Sequence, residues 1–254
     1  MTLKYSEDDW QEQLERWKDE YGWLYERKKE GEKDVNLEPS AKRGDCKACG
    51  REAASIAATL LHLNRPDEAR EWFATAGQHM TEMAHIENEH WDTRKKIDLT
   101  GVPIQFVRGL CWALLSGDEE VIGGMASETK GLDEWFVDEV GDLMNYHRPR
   151  ALAALAVGDA DASDRIDTVG NGDRKLDRAI TAGGRGLLAG DRAQIEEGAT
   201  LWANIHADLY DDKDPMGTKA VAFGAATLLV LARRQGIDAT VESDYLPQSV
   251  YDLP

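Results

Sequence analysis

The 254-residue chain is 42% hydrophobic and carries 48 Asp+Glu against 30 Lys+Arg, a formal net charge of −18. That length buries a sizeable core without staples, and acidity on this scale repels phosphate backbones and anionic lipid, which argues against nucleic-acid and membrane partners. The longest apolar run, Ala220 to Ala232, is too short to span a bilayer; the N-terminal residues form no apolar signal segment, and three cysteines do not make a disulfide scaffold, so a soluble, cytoplasmic protein is expected.

Helical periodicity dominates the chain. Trp10, Leu14, Trp17, Tyr21 and Leu24 recur at spacings of 4, 3, 4 and 3, one apolar stripe on a helix introduced by Ser6 and Asp9. The polar stretch Lys28 to Ser40, with Gly31 and Pro39, reads as a loop. A second helix is expected from about Asp45 to Leu63, with Ala53, Ile56, Ala57, Leu60 and Leu61 inward. A third follows Asn64, with Pro66, Asp67 and Glu68 in its first turn and Trp72, Phe73, Ala76, Met80 and Met83 inward, reaching towards Trp91. Further helices are expected from Pro103 and over Leu132 to Met144.

Three junctions share one pattern. Gly117-Asp118, Gly158-Asp159 and Gly190-Asp191 each end an apolar helical segment with Gly and open the next with Asp. The last long helix is expected over Met216 to Gln235. The only alternating segment, Ile237 to Val241, has no strand to pair with and reads as an extended tail. The prediction is an all-α fold of about ten helices packed as antiparallel hairpins, with an extended C-terminal tail. It divides into a charged, Trp-rich N-terminal helix and loop over 1–45, loosely docked, and an all-helical domain over 46–254.

Cys46-x-x-Cys49 is the first candidate for chemistry. Zinc requires four ligands, and the only completions, Cys111 and His62, fall on apolar helical faces. A redox pair gains from a helix N-terminus, which a helix starting at Asp45 would supply, but also wants a βαβ context that is missing. Structural thiols are the favoured reading. Glu82-x-x-His85 with Glu89 has the form of half a di-metal carboxylate site, which needs the motif on two helices. No second Glu-x-x-His occurs, so a hydrated helix face is expected. Gly183-Gly184-Arg185-Gly186 follows no strand and reads as close helix packing, and neither a phosphate loop nor a serine-hydrolase elbow is present. No metal, cofactor or catalytic residue is expected.

Asp outnumbers Glu and Arg outnumbers Lys, a bias that suits hydration in concentrated salt; a basic partner steered by the negative field is the other explanation. For such a partner, two surfaces combine aromatic anchors with acids. One is the N-terminal helix, through Trp10 and Trp17. The other is the acidic loop around Tyr210 with Asp211, Asp212 and Asp214, favoured because Tyr210 is expected to be exposed. Trp23 lies on the same charged helix as Trp10 and Trp17.

After the apolar segment Ala220 to Arg234 comes Gly236-Ile237-Asp238-Ala239-Thr240-Val241-Glu242-Ser243-Asp244-Tyr245-Leu246-Pro247. This ending resembles that of the immunity protein 49 family, in which a long helix leads into a Val-x-Ser-x-Tyr-Leu-Pro tail. Over the rest of the chain the likeness is one of length and helical character, and the Trp-rich helix and Cys46-x-x-Cys49 have no counterpart in it. The resemblance implies a non-enzymatic immunity protein that binds and neutralises a cognate toxin. A general helical-hairpin adaptor is the alternative. A third possibility is an enzyme, either a metal-carboxylate protein using Glu82 and His85 or a thiol protein using Cys46 and Cys49.

Overall fold

The computed structural model describes residues 5–34, 36–89, 102–131, 143–210 and 215–254. Among them are ten α-helices and no strand: α1 (Glu7–Lys33), α2 (Pro39–His62), α3 (Pro66–Glu89), α4 (Val102–Ser116), α5 (Glu119–Lys130), α6 (Leu143–Val157), α7 (Ala162–Gly170), α8 (Lys175–Ala189), α9 (Arg192–Tyr210) and α10 (Phe223–Arg234). Consecutive helices from α1 to α5 pack on one another, as do those from α6 to α10. The two series meet where α6 lies on α4 and α5 and where α10 packs on α4. No helix among the described residues is long and apolar enough to cross a membrane. The expected helix over Leu132 to Met144 lies outside the described residues up to residue 142.

The N-terminal helix is longer and more firmly seated than its sequence suggests. Ser6 and Asp9 form a reciprocal capping box: the Ser6 hydroxyl accepts from the Asp9 N–H at 3.2 Å and the Asp9 carboxylate from the Ser6 N–H at 2.8 Å. Trp10, Leu14 and Leu24 are buried against the body. The helix also runs through the stretch expected to be a loop, as far as Lys33, because Lys28 continues the buried stripe and meets carboxylates there. The polar segment ahead of α2 is short, so Asp45 lies inside α2 and the 45/46 boundary divides a helix.

The glycines at the three junctions adopt the left-handed conformation, at φ 68° for Gly117 and 67° for both Gly158 and Gly190. Asp118 and Asp191 then cap α5 and α9, accepting from backbone N–H groups at 2.9–3.3 Å. Asp159 departs from the pattern. Its carboxylate pairs with Lys130 at 2.7 Å, and α7 starts three residues later, at Ala162, without a side-chain cap. The glycine-rich stretch is a packing device, as expected. A Cβ on Gly198 of α9 would lie 2.3 Å from the Gly183 nitrogen of α8, so the two helices touch backbone to backbone.

The last long helix starts at Phe223 rather than Met216. Residues 215–222 instead form a strap across the body, including a 3-10 turn at Gly217–Lys219. A Cβ on Gly217 would be 2.8 Å from Ser55 Oγ and 3.1 Å from the Trp17 ring. The Ala222 N–H is diverted to the Tyr245 carbonyl at 2.9 Å. His62 Nε2–H donates to the Ala220 carbonyl at 3.1 Å and His206 Nε2–H to the Lys219 carbonyl at 2.8 Å, so α2 and α9 grip adjacent peptide groups of the strap. The final segment is not extended throughout. It is irregular from residue 237, docks Tyr245 and Leu246 into the core, and ends in a 3-10 turn (Gln248–Asp252) that buries Val250. Pro254 lies against Gly117.

Candidate functional site

Trp10 and Trp17 are packing residues. The Trp10 ring stacks on His62 with centroids 4.3 Å apart and planes 5° apart, while Tyr5 meets its edge. Trp10 is 5% exposed. Trp17 is half-buried, its ring contacted by the strap and its indole nitrogen enclosed. Both follow from the 4–3 spacing of the stripe, which turns them towards α2. Tyr210 is half-buried rather than exposed, packed against the core with its ring 4.7 Å from that of His206. Asp211, Asp212 and Asp214 lie outside the described residues.

The aromatic that α1 does present is Trp23, 63% exposed. It falls outside the stripe, between Tyr21 and Leu24, and this displacement is the sequence signal that singles it out. The Arg27 guanidinium lies 5.0 Å from the centre of its ring and is itself anchored on Asp45 of α2. The exposed indole is therefore braced from the helix behind it. Glu12, Glu15, Asp19, Glu26 and Glu30 are exposed on the same helix.

Beneath this surface, α1, α2 and α3 enclose a polar cluster. The Lys28 ammonium donates to Glu32 at 2.6 Å and to Glu82 at 2.8 Å, although Lys28 is 8% exposed. Burial alone would pull its pKa down, but the hydrogen bonds it donates to Glu32 and Glu82 outweigh burial and hold it above its ordinary value. His79 is pulled down to about 4, by burial first and by the Lys28 charge second. Its Nε2 lies 3.1 Å from the Tyr21 hydroxyl and its Nδ1 is 4.0 Å from Glu82. A neutral ring with the hydrogen on Nδ1 accepts from Tyr21 and faces the carboxylate. Burial also pushes the Tyr21 phenol up to about 12.

The thiols belong to this cluster, without the helix N-terminus expected for them. Because α2 begins at Pro39, Cys46 and Cys49 sit in its second and third turns, buried and unbridged. Burial raises both thiols, aided at Cys46 by the Glu82 carboxylate; Cys49 reaches about 11. They are neutral at physiological pH, the opposite of what nucleophilic or redox chemistry requires. The cavity beside Lys28, Cys46 and Glu82 measures about 40 Å³, far below the size of a ligand pocket.

Glu82 and His85 part company. Glu82 turns towards Lys28 and α2, whereas His85 reaches Glu89 and Glu128 of α5, each at 3.1 Å. Among the described residues, no three His, Cys, Asp or Glu side chains group as metal ligands. The contacts of the polar cluster, Lys28 with Glu82 and Tyr21 with His79, tie α1 to α3.

No family model matches the chain, and no curated protein or solved structure shows significant similarity to it.

Proposed function

We propose that this is a cytoplasmic, non-catalytic binding protein, an immunity protein that neutralises a cognate toxin by covering its surface, and that the outer face of α1 makes the contact. The observation that carries this reading is Trp23: a large aromatic, 63% exposed, braced by Arg27 and set among exposed acids. Interface hot spots have this form, a rigid aromatic anchor within a polar rim. An anchor held in place before binding loses little side-chain entropy in the complex. The carboxylates around it favour a basic partner, such as a toxin domain that attacks nucleic acid, and speed its approach. The resemblance of the Val241 to Pro247 ending to immunity protein 49 points the same way.

The test is protection of cells against a toxin encoded beside this gene, comparing the wild-type chain with Trp23→Ala combined with Asp19→Lys. Loss of an anchoring Trp costs about 2 kcal/mol or more, so protection and partner capture should fall while the helical circular dichroism is unchanged. Full protection by the double variant would remove α1 as the contact surface. If no toxin accompanies the gene, the adaptor reading replaces the immunity reading.

A further inference from the structure

A second surface has the opposite chemistry. A cleft of about 340 Å³ opens between α2, α4, α9 and the strap, a volume within the range of about 300–1,000 Å³ typical of small-molecule sites. Its walls are aromatic. Trp112 and Phe223 meet edge to face with centroids 6.1 Å apart, and Trp202 lies so close to α10 that a Cβ on Gly224 would fall 1.9 Å from its ring. His206 and Tyr210 follow Trp202 at intervals of four along α9 and extend the same wall. Ile104 and Leu209 on the lip are 40% and 55% exposed.

Among the described residues that line this cleft, the charged ones are all bases. Lys47, Arg108 and Lys219 are exposed and carry no ion pair among the described residues; Arg51, the fourth, is held by Glu52. No Asp or Glu occurs among the described residues that line the cleft, in a chain where acids outnumber bases 48 to 30. Cations beside apolar walls attract an anion more strongly than they would in bulk water, because screening is weaker there.

We propose that this cleft binds a small organic anion with a flat apolar body, an arene carboxylate in its simplest form. The aromatic walls take the ring system, and Arg108 with Lys47 and Lys219 receives the acid group at the mouth. The bases of the lining favour an anion over a cation, and the aromatic walls favour an organic anion over a bare inorganic one. This site is separate from the α1 surface and does not depend on the immunity reading.

The experiment is titration calorimetry of the full chain with naphthalene-2-carboxylate, with naphthalene-2-methanol and naphthalene-2-methylammonium as neutral and cationic counterparts. Saturable binding of the carboxylate is expected, with the alcohol about tenfold weaker or more and the ammonium silent; one charge-assisted contact carries that weight. Arg108→Glu and Lys219→Glu, both at exposed positions, should each weaken the carboxylate by a similar factor, with unchanged circular dichroism. Trp23→Ala should leave it unaltered. Equal affinity for acid and alcohol, indifference to both charge reversals, or no saturable binding of the acid at millimolar concentration would each overturn the proposal.

Discussion

Acid should begin to weaken this fold as pH falls below about 6.5, and His79 offers the clearest measure. The ring is enclosed between α1 and α3, accepts from Tyr21, and stands near a buried ammonium. Its pKa lies at about 4 in the folded chain, against 6.5 for a free imidazole. A depressed folded value means that the unfolded chain binds the proton more readily. The stabilisation is therefore complete above pH 6.5 and drains away as pH falls from there towards 4. At about pH 5 the loss from this one group is about 2 kcal/mol, a large share of the 5–15 kcal/mol of a typical domain. Replacing the ring by a side chain that cannot titrate isolates the effect, because the other histidines remain in both proteins. Urea unfolding of the wild type and His79→Gln, followed by circular dichroism at about pH 7.5 and about pH 5, should show a loss about 2 kcal/mol smaller in the variant. Equal losses in the two proteins would mean that His79 is protonated in the fold and that the Tyr21–His79–Lys28 arrangement is misread.

Gly117→Ala and Gly190→Ala place the same methyl group on the same left-handed backbone, but a Cβ at Gly117 meets Pro254 at 2.2 Å while that at Gly190 meets open space. Chemical denaturation should show about 1 kcal/mol lost at Gly190 for the backbone alone, and distinctly more at Gly117; equal losses would mean that the final segment is not docked. All three cysteines are buried. A colorimetric thiol reagent at neutral pH should therefore leave the native protein almost unlabelled and react with three thiols after unfolding in guanidinium, and prompt native labelling would contradict the packing of α1 on α2. If the −18 charge is adaptation to brine, the melting temperature should climb as KCl rises from about 0.1 M, where the Debye length is about 10 Å, into the molar range; a flat response would assign the acidity to partner binding.

What could be read from the sequence and what could not divides along local and long-range physics. The stripe Trp10–Leu14–Trp17–Tyr21–Leu24 needs only the helical period, and it forms as spaced. The glycines at 117, 158 and 190 need only the left-handed C-cap, and all three adopt it. Lys28 defeated the same reasoning. A lysine in a run of charges reads as solvated, and its burial depends on Glu82, which only tertiary packing brings within 2.8 Å. From sequence the strap reads as helix because residues such as Ala220, Val221 and Ala222 suit either state, and the choice is made by bonds donated by His62 and His206 and accepted by the Tyr245 carbonyl. Tyr210 looked exposed among acids, yet its ring faces His206, four residues back on the same helix. Trp23 was visible as a residue out of phase, but the brace that Arg27 provides from Asp45 was not.

The burial of α10 sets the order in which the protein can be completed. From Gly224 to Ala232 every residue is buried, so this helix has no face suited to water. It cannot persist alone and takes its place only when α4 and α9 are already there to receive it. The ribosome makes it after both. Until it emerges, the apolar flank of α4 stands open in the growing chain and needs shielding.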